Sequence, residues 1–177
     1  MILATTSKAK EVVLLGLLTA VVFAAQIAMA ALPNIELVTL LFLLYTLVLG
    51  KKVFLIIYAF VFLQGLFYGF GLWWFNYTYV WSVLALVVLA FRQQESVWFW
   101  SFISGFYGLT YGALCAIIYF FMGGFPSAFA YWVSGIPFDI THCIGNVAVC
   151  LSLYKPLRSI LEKCTSIFYE KKCYPLP

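Results

Sequence analysis

Asp139, His142 and Asn146 are the residues most capable of chemistry in this chain. They stand at i, i+3 and i+7, so a helix would carry all three on one face. A carboxylate, an imidazole and an amide in one stripe can orient a ligand by hydrogen bonds, relay a proton or hold a metal. Glu36 is a further carboxylate flanked by apolar sequence. Ionisable groups within apolar segments are costly and concentrate at functional sites. A metal centre would need Asp139, His142 and Glu36 together, with one histidine and no H-E-x-x-H pattern. Cys115, Cys143, Cys150, Cys164 and Cys173 form no C-x-x-C or zinc spacing, so free thiols, no metal and no cofactor are expected. Hydrolysis would need a nucleophile beside a base, and Ser134 could serve His142 only if the helix runs on unbroken between them; no enzyme is expected. The structural alternative is simpler. Asp139 would sit in the first turn of a helix starting at Pro137 and serve its free N–H groups, and His142 would be a neutral buried imidazole.

The elements that must position these residues are apolar. Of 177 residues, 66% are hydrophobic, 20% aromatic and 9% charged. A soluble domain is about half apolar and a quarter charged, so lipid is the expected solvent and an integral membrane protein the expected class. Charges, prolines and glycines divide the chain into six apolar segments. These cover about 11–32, 35–49, 53–71, 78–91, 97–122 and a sixth ending near 154. The second and fourth are shorter than the roughly 20 residues of a full crossing. Their flanks argue for crossing nonetheless. The ten basic residues cluster at Lys8 and Lys10, Lys51 and Lys52, Arg92, Lys155 and Arg158, and Lys163, Lys171 and Lys172. These clusters fall at alternate junctions, the pattern of the positive-inside rule. The expectation is an all-α polytopic protein of six transmembrane helices in the plasma membrane, with both termini cytoplasmic. It forms a single membrane domain over 1–177, with a bundle over about 10–158 and a cytoplasmic tail over 159–177. The dispersed charge forms no basic face for nucleic acid. The apolar run from Val12 to Leu32 is too long for a cleaved signal peptide, despite Ala28-Met29-Ala30.

The opposite junctions are aromatic and acidic. Trp73, Trp74, Tyr131 and Trp132 fit an interfacial belt, and Trp74, Asn76, Tyr77, Asn34 and Glu36 could instead face a ligand. Gln64, in the outer half of the third segment, fits an interhelical hydrogen bond or a pocket wall. The sixth helix is expected to start at Pro137, after a loop or interfacial helix over 125–133. Ala20, Ala24 and Ala28 repeat every fourth residue on the first segment, so small side chains line one face there. Such a face packs closely within one protein or docks a partner.

Three stretches resemble one family, the substrate-binding S components of energy-coupling factor (ECF) vitamin transporters. The resemblance covers roughly residues 10–158. It rests on Ala20-Val-Val-Phe-Ala24 continued at Ala28, on Leu32-Pro-Asn-Ile-Glu36, and above all on Tyr131-Trp-Val-Ser-Gly-Ile-Pro-Phe-Asp-Ile-Thr-His-Cys-Ile-Gly-Asn146. It implies a six-helix protein that captures a small vitamin-like substrate near the outer surface. That protein docks by its alanine face on a transmembrane coupling subunit driven by two ATPase subunits, and topples in the bilayer to deliver the substrate. The chain has no GxxxxGK[ST] loop of its own. The pocket would lie at the outer ends of segments three to six under the first outer loop. Its ligand-binding candidates are Asn34, Glu36, Gln64, Trp74, Asn76, Tyr77, Tyr131, Trp132, Asp139, His142 and Asn146. The lack of outer Lys or Arg favours a cationic, zwitterionic or neutral nitrogenous ligand. A membrane scaffold without a ligand site and an intramembrane enzyme remain alternative readings.

Overall fold

The computed structural model describes residues 8–32 and 35–168, and every regular element among them is helical. Five elements follow in order: α1 (Lys8–Ala28), α2 (Val38–Leu49), α3 (Val53–Tyr68), α4 (Leu72–Ala90) and α5 (Val97–Phe168). A single 3-10 turn, Gly50–Lys52, joins α2 to α3. Pro33, Asn34, Lys171, Lys172 and Cys173 lie outside the described residues.

Four helical stretches are long and apolar enough to cross a membrane: Lys8–Ala28, Val38–Tyr68, Leu72–Ala90 and Val97–Phe168. Two of these fold back on themselves. Gly50 takes φ +61°, a left-handed value open to glycine and strained for other residues. The chain reverses there, so Phe42 of α2 meets Phe60 of α3 with ring centroids 5.4 Å apart. A straight helix would hold the same residues about 27 Å apart. The second reversal is at Gly123 and Gly124, where φ is −139° and +70°. It divides α5 into a first limb, 97–122, and a second, 125–168. Tyr119 and Tyr131 stack across this hairpin at 4.0 Å, and Asn146 Nδ2 donates to Ser104 O at 3.1 Å farther along it.

The remaining neighbours also run up and down. Glu11 and Lys52 pair at 2.7 Å and Tyr45 OH donates to Leu18 O at 3.3 Å, which sets α1 against α2. Trp74 Nε1 donates to Val61 O at 2.9 Å between α3 and α4. Tyr107 OH reaches Val80 O at 3.0 Å and Tyr79 OH reaches Leu114 O at 2.7 Å between α4 and the first limb of α5. This alternation gathers Lys8, Lys10, Lys51, Lys52, Arg92 and Lys155 at one end of the bundle. Lys155 there shares a cleft with Glu95 and Trp98.

Composition explains which helix is central. α2 reads VTLLFLLYTLVL, apolar all round, and is buried from Val38 through Thr46. α1 buries only Leu14, Leu18, Thr19 and Val22. Trp98, Phe102, Phe106 and Leu109 form an exposed row along the first limb of α5, with Trp98 75% exposed. Apolar faces of this extent suit lipid rather than water.

Two boundaries differ from the sequence expectation. α4 starts at Leu72 rather than Thr78, so Trp73, Trp74, Asn76 and Tyr77 are helical. The break falls instead at Gly69, whose φ is +88°, and nothing between 72 and 78 interrupts the helix. The sixth helical segment does not start at Pro137. It starts just past Gly124, with Pro126 in its first turn, where a missing N–H costs nothing. The logic of a proline at a helix start holds, but for the earlier proline. Pro137 and Pro156 are both carried inside the helix, which runs on to Phe168 rather than stopping near Tyr154. Beyond Tyr154, Arg158 Nη1 donates to Tyr154 OH at 3.0 Å and its Nε to Glu162 at 2.9 Å. Because Pro137 is exposed inside a helix, Pro137→Ala restores an N–H without losing packing. Thermal unfolding of the purified variant should show a midpoint no lower than that of the parent.

Candidate functional site

The close fit of the two α5 limbs comes from missing side chains. Gly105, Gly108 and Gly112 line the first limb opposite the polar stripe of the second. A Cβ on Gly112 would lie 2.4 Å from Asp139 Oδ2, and one on Gly108 would lie 2.9 Å from backbone atoms of His142 and Cys143. A Cβ on Gly105 would lie 2.5 Å from Val147 Cγ2. With no side chain in the way, the Gly112 N–H donates to Asp139 Oδ1 at 2.9 Å.

The stripe therefore divides. Asp139 and Asn146 are buried and bound to the backbone of the opposite limb, where they hold the hairpin shut. The first-turn role considered for Asp139 does not apply, because the helix starts earlier; its carboxylate serves a neighbouring N–H instead. His142, between them, turns to a different partner. Its Nε2 lies 3.1 Å from Glu36 Oε1, and its ring meets Tyr111 edge-on at 5.1 Å. An ionised carboxylate only accepts, so Nε2 carries the proton in this pair. The Thr39 hydroxyl donates to the same Glu36 oxygen, and the Thr39 N–H does so at 3.3 Å. Glu36 thus caps the first turn of α2 while facing His142.

These two residues border a cavity of about 180 Å³ at the end of the bundle away from the basic clusters. The end of α1 and the following loop contribute Gln26, Met29, Ala30, Leu32 and Ile35. α4 contributes Tyr77 and Trp81, and α5 contributes Tyr111 and His142. The rings of Tyr77 and Trp81 meet at 5.6 Å and 84°, and those of Trp81 and Tyr111 at 5.9 Å and 49°. Two polar atoms of the wall, Trp81 Nε1 and Gln26 Oε1, are buried without a hydrogen-bond partner among the described residues. Such an orphan costs about 1–3 kcal/mol.

Of the residues singled out in the sequence, Glu36, Tyr77 and His142 come together here. Asn34 lies outside the described residues. Gln64 is buried within α3, and α1 rather than α3 walls the cavity. Trp74 is tied to Val61, and Asn76 is buried with its Oδ1 accepting from Tyr79 OH at 2.9 Å. Tyr131 stacks on Tyr119, and Trp132 is exposed beside Phe129. Ser134 shares an unbroken helix with His142, but it is exposed and its hydroxyl donates to Tyr131 O at 2.8 Å. Ala20, Ala24 and Ala28 all lie on the exposed side of α1. Among the described residues no three His, Cys, Asp or Glu side chains are grouped so as to hold a metal.

Gln26, Trp81 and Tyr111 were not singled out. Signals for them existed: Gln26 is the only amide in α1, and Trp81 and Tyr111 lie one turn beyond Tyr77 and Tyr107. The spacing of Gly105, Gly108 and Gly112 was a similar signal for the seam. Compared with protein-family models, curated proteins and solved structures, the chain matches none.

Proposed function

We propose that this chain is the substrate-capture subunit of an ECF-type vitamin importer in the plasma membrane. It crosses the bilayer six times, with both termini on the cytoplasmic side. The observation that carries the reading is the cavity at the end opposite the basic clusters. It has aromatic walls and a few convergent polar groups, the usual make-up of a small-molecule site. Two further features support it. The exposed alanine face of α1 offers a surface on which a coupling subunit and its two ATPases can act. The chain reverses between α2 and α3 at the lysine-bearing turn Gly50–Lys52, as six crossings with cytoplasmic lysines require.

Two measurements test this reading. Gentle purification followed by mass spectrometry should find a small organic molecule at near-equal molar ratio; a ligand-free preparation from every rich medium would favour a scaffold role. For topology, single cysteines at Lys51 and at Phe125 in a cysteine-free background should differ. A membrane-impermeant maleimide on intact cells should label the second and spare the first. The reverse pattern, or labelling of both, would overturn six crossings.

A further inference from the structure

The cavity has a size, a charge and a set of unused bonds, and together these narrow what it holds. A cavity of about 150 Å³ takes up one benzene. At about 180 Å³ this one encloses a single ring with a few substituents. Charge comes next. Glu36 and His142 are the titratable acid and base of the wall, and no Lys or Arg is among its lining residues. The nearest side-chain charge on the helix of His142 is Asp139, a second carboxylate. An anionic ligand would therefore lose its hydration with no cation to replace it.

Two polar side chains of the wall have unused bonds. Gln26 lines the cavity and its Oε1 has no hydrogen-bond partner among the described residues, so its amide is free to take a ligand donor. Trp81 is 1% exposed and its Nε1–H has no hydrogen-bond partner among the described residues, so the indole is part of the wall's buried backing. Tyr77 and Tyr111, both partly exposed, line the cavity with rings that suit a flat or cationic group.

We infer that the cavity selects a single-ring nitrogen heterocycle, neutral or cationic, that carries an N–H or ammonium donor. The donor binds Glu36 and Gln26, and the ring packs against Tyr77 and Tyr111. Carboxylate and phosphate esters of the same ring are rejected. This inference rests on the capture reading above and narrows its substrate class.

The test uses the full-length protein in nanodiscs and a panel of single-ring compounds, with pyridine and pyrimidine rings bearing aminomethyl, amino, carboxylate or phosphate groups, plus fused two- and three-ring heterocycles. Binding is read by thermal shift and calorimetry. Stabilisation should be confined to the amino and aminomethyl rings. Glu36→Gln should weaken the best binder about tenfold or more, the loss expected for one charge-assisted hydrogen bond. Because Glu36 also caps α2, Gln26→Leu is the second variant and should cost affinity without lowering the ligand-free melting midpoint. Tightest binding by an anion or a fused-ring compound, or unchanged affinity in both variants, would overturn the inference while leaving capture itself standing. If no compound binds and gentle purification also finds none, both readings fail together.

Discussion

Gly108→Ala should force the two limbs of α5 apart and lower the melting midpoint sharply. The added Cβ would lie 2.9 Å from the His142 carbonyl carbon and the Cys143 nitrogen, both backbone atoms that cannot swing aside. Overpacking of this kind costs about 1–3 kcal/mol, and relief by limb separation would draw His142 away from Glu36. Ligand affinity should fall with stability, because the displaced backbone belongs to a cavity residue. Gly16→Ala is the matched control. Nothing lies within 4 Å of its added Cβ, and alanine favours a helix, so its midpoint should hold or rise. Gly105→Ala should be intermediate, since it meets a valine methyl that a rotamer change can move. Thermal unfolding of the four proteins side by side decides the order; a Gly108→Ala midpoint equal to that of Gly16→Ala would refute the seam.

If the chain captures a substrate for import, Ala24→Trp should abolish uptake and leave ligand binding within about twofold of the parent. The residue is exposed on α1, one turn from its neighbours Ala20 and Ala28, and the buried face of the helix is carried by Leu14, Leu18 and Val22. A large ring there disturbs no internal packing but blocks the close approach of another helix. Transport of labelled substrate into cells, set beside binding to the purified variant, separates the two effects. Normal uptake with both Ala20→Trp and Ala24→Trp would remove the docking role from this face.

The two reversal points were legible because each carries glycine where the backbone leaves ordinary helix. Gly50-Lys51-Lys52 and Gly123-Gly124-Phe125-Pro126 both stand out between apolar runs. The start of the last helix was less legible, because two prolines offered similar signals. Only the left-handed backbone of Gly124 decides for Pro126, and sequence does not reveal φ. The onset of α4 was obscured by its aromatics, which suit an interfacial loop and a helix equally well. Within the site, the spacing of Asp139, His142 and Asn146 placed them correctly on one face. It could not tell that two of the three would be spent on the facing backbone. That division depends on how near the glycine limb comes, a tertiary fact. Tyr77 and Glu36 were recognisable as polar groups near the end opposite the lysines. Trp81 was missed because a tryptophan deep in an apolar run looks like core until its unsatisfied N–H is seen.

The second limb of α5 runs for about 65 Å, about twice the thickness of a bilayer's hydrocarbon core. His142 lies part-way along it, and Thr165 lies about 35 Å farther toward the basic end. No residue between them departs from helical backbone. His142 and Thr165 are thus mounted on one helix, with Pro156 between them. A push near Thr165 would tilt the imidazole with it, so a contact there would have mechanical access to the cavity without touching it.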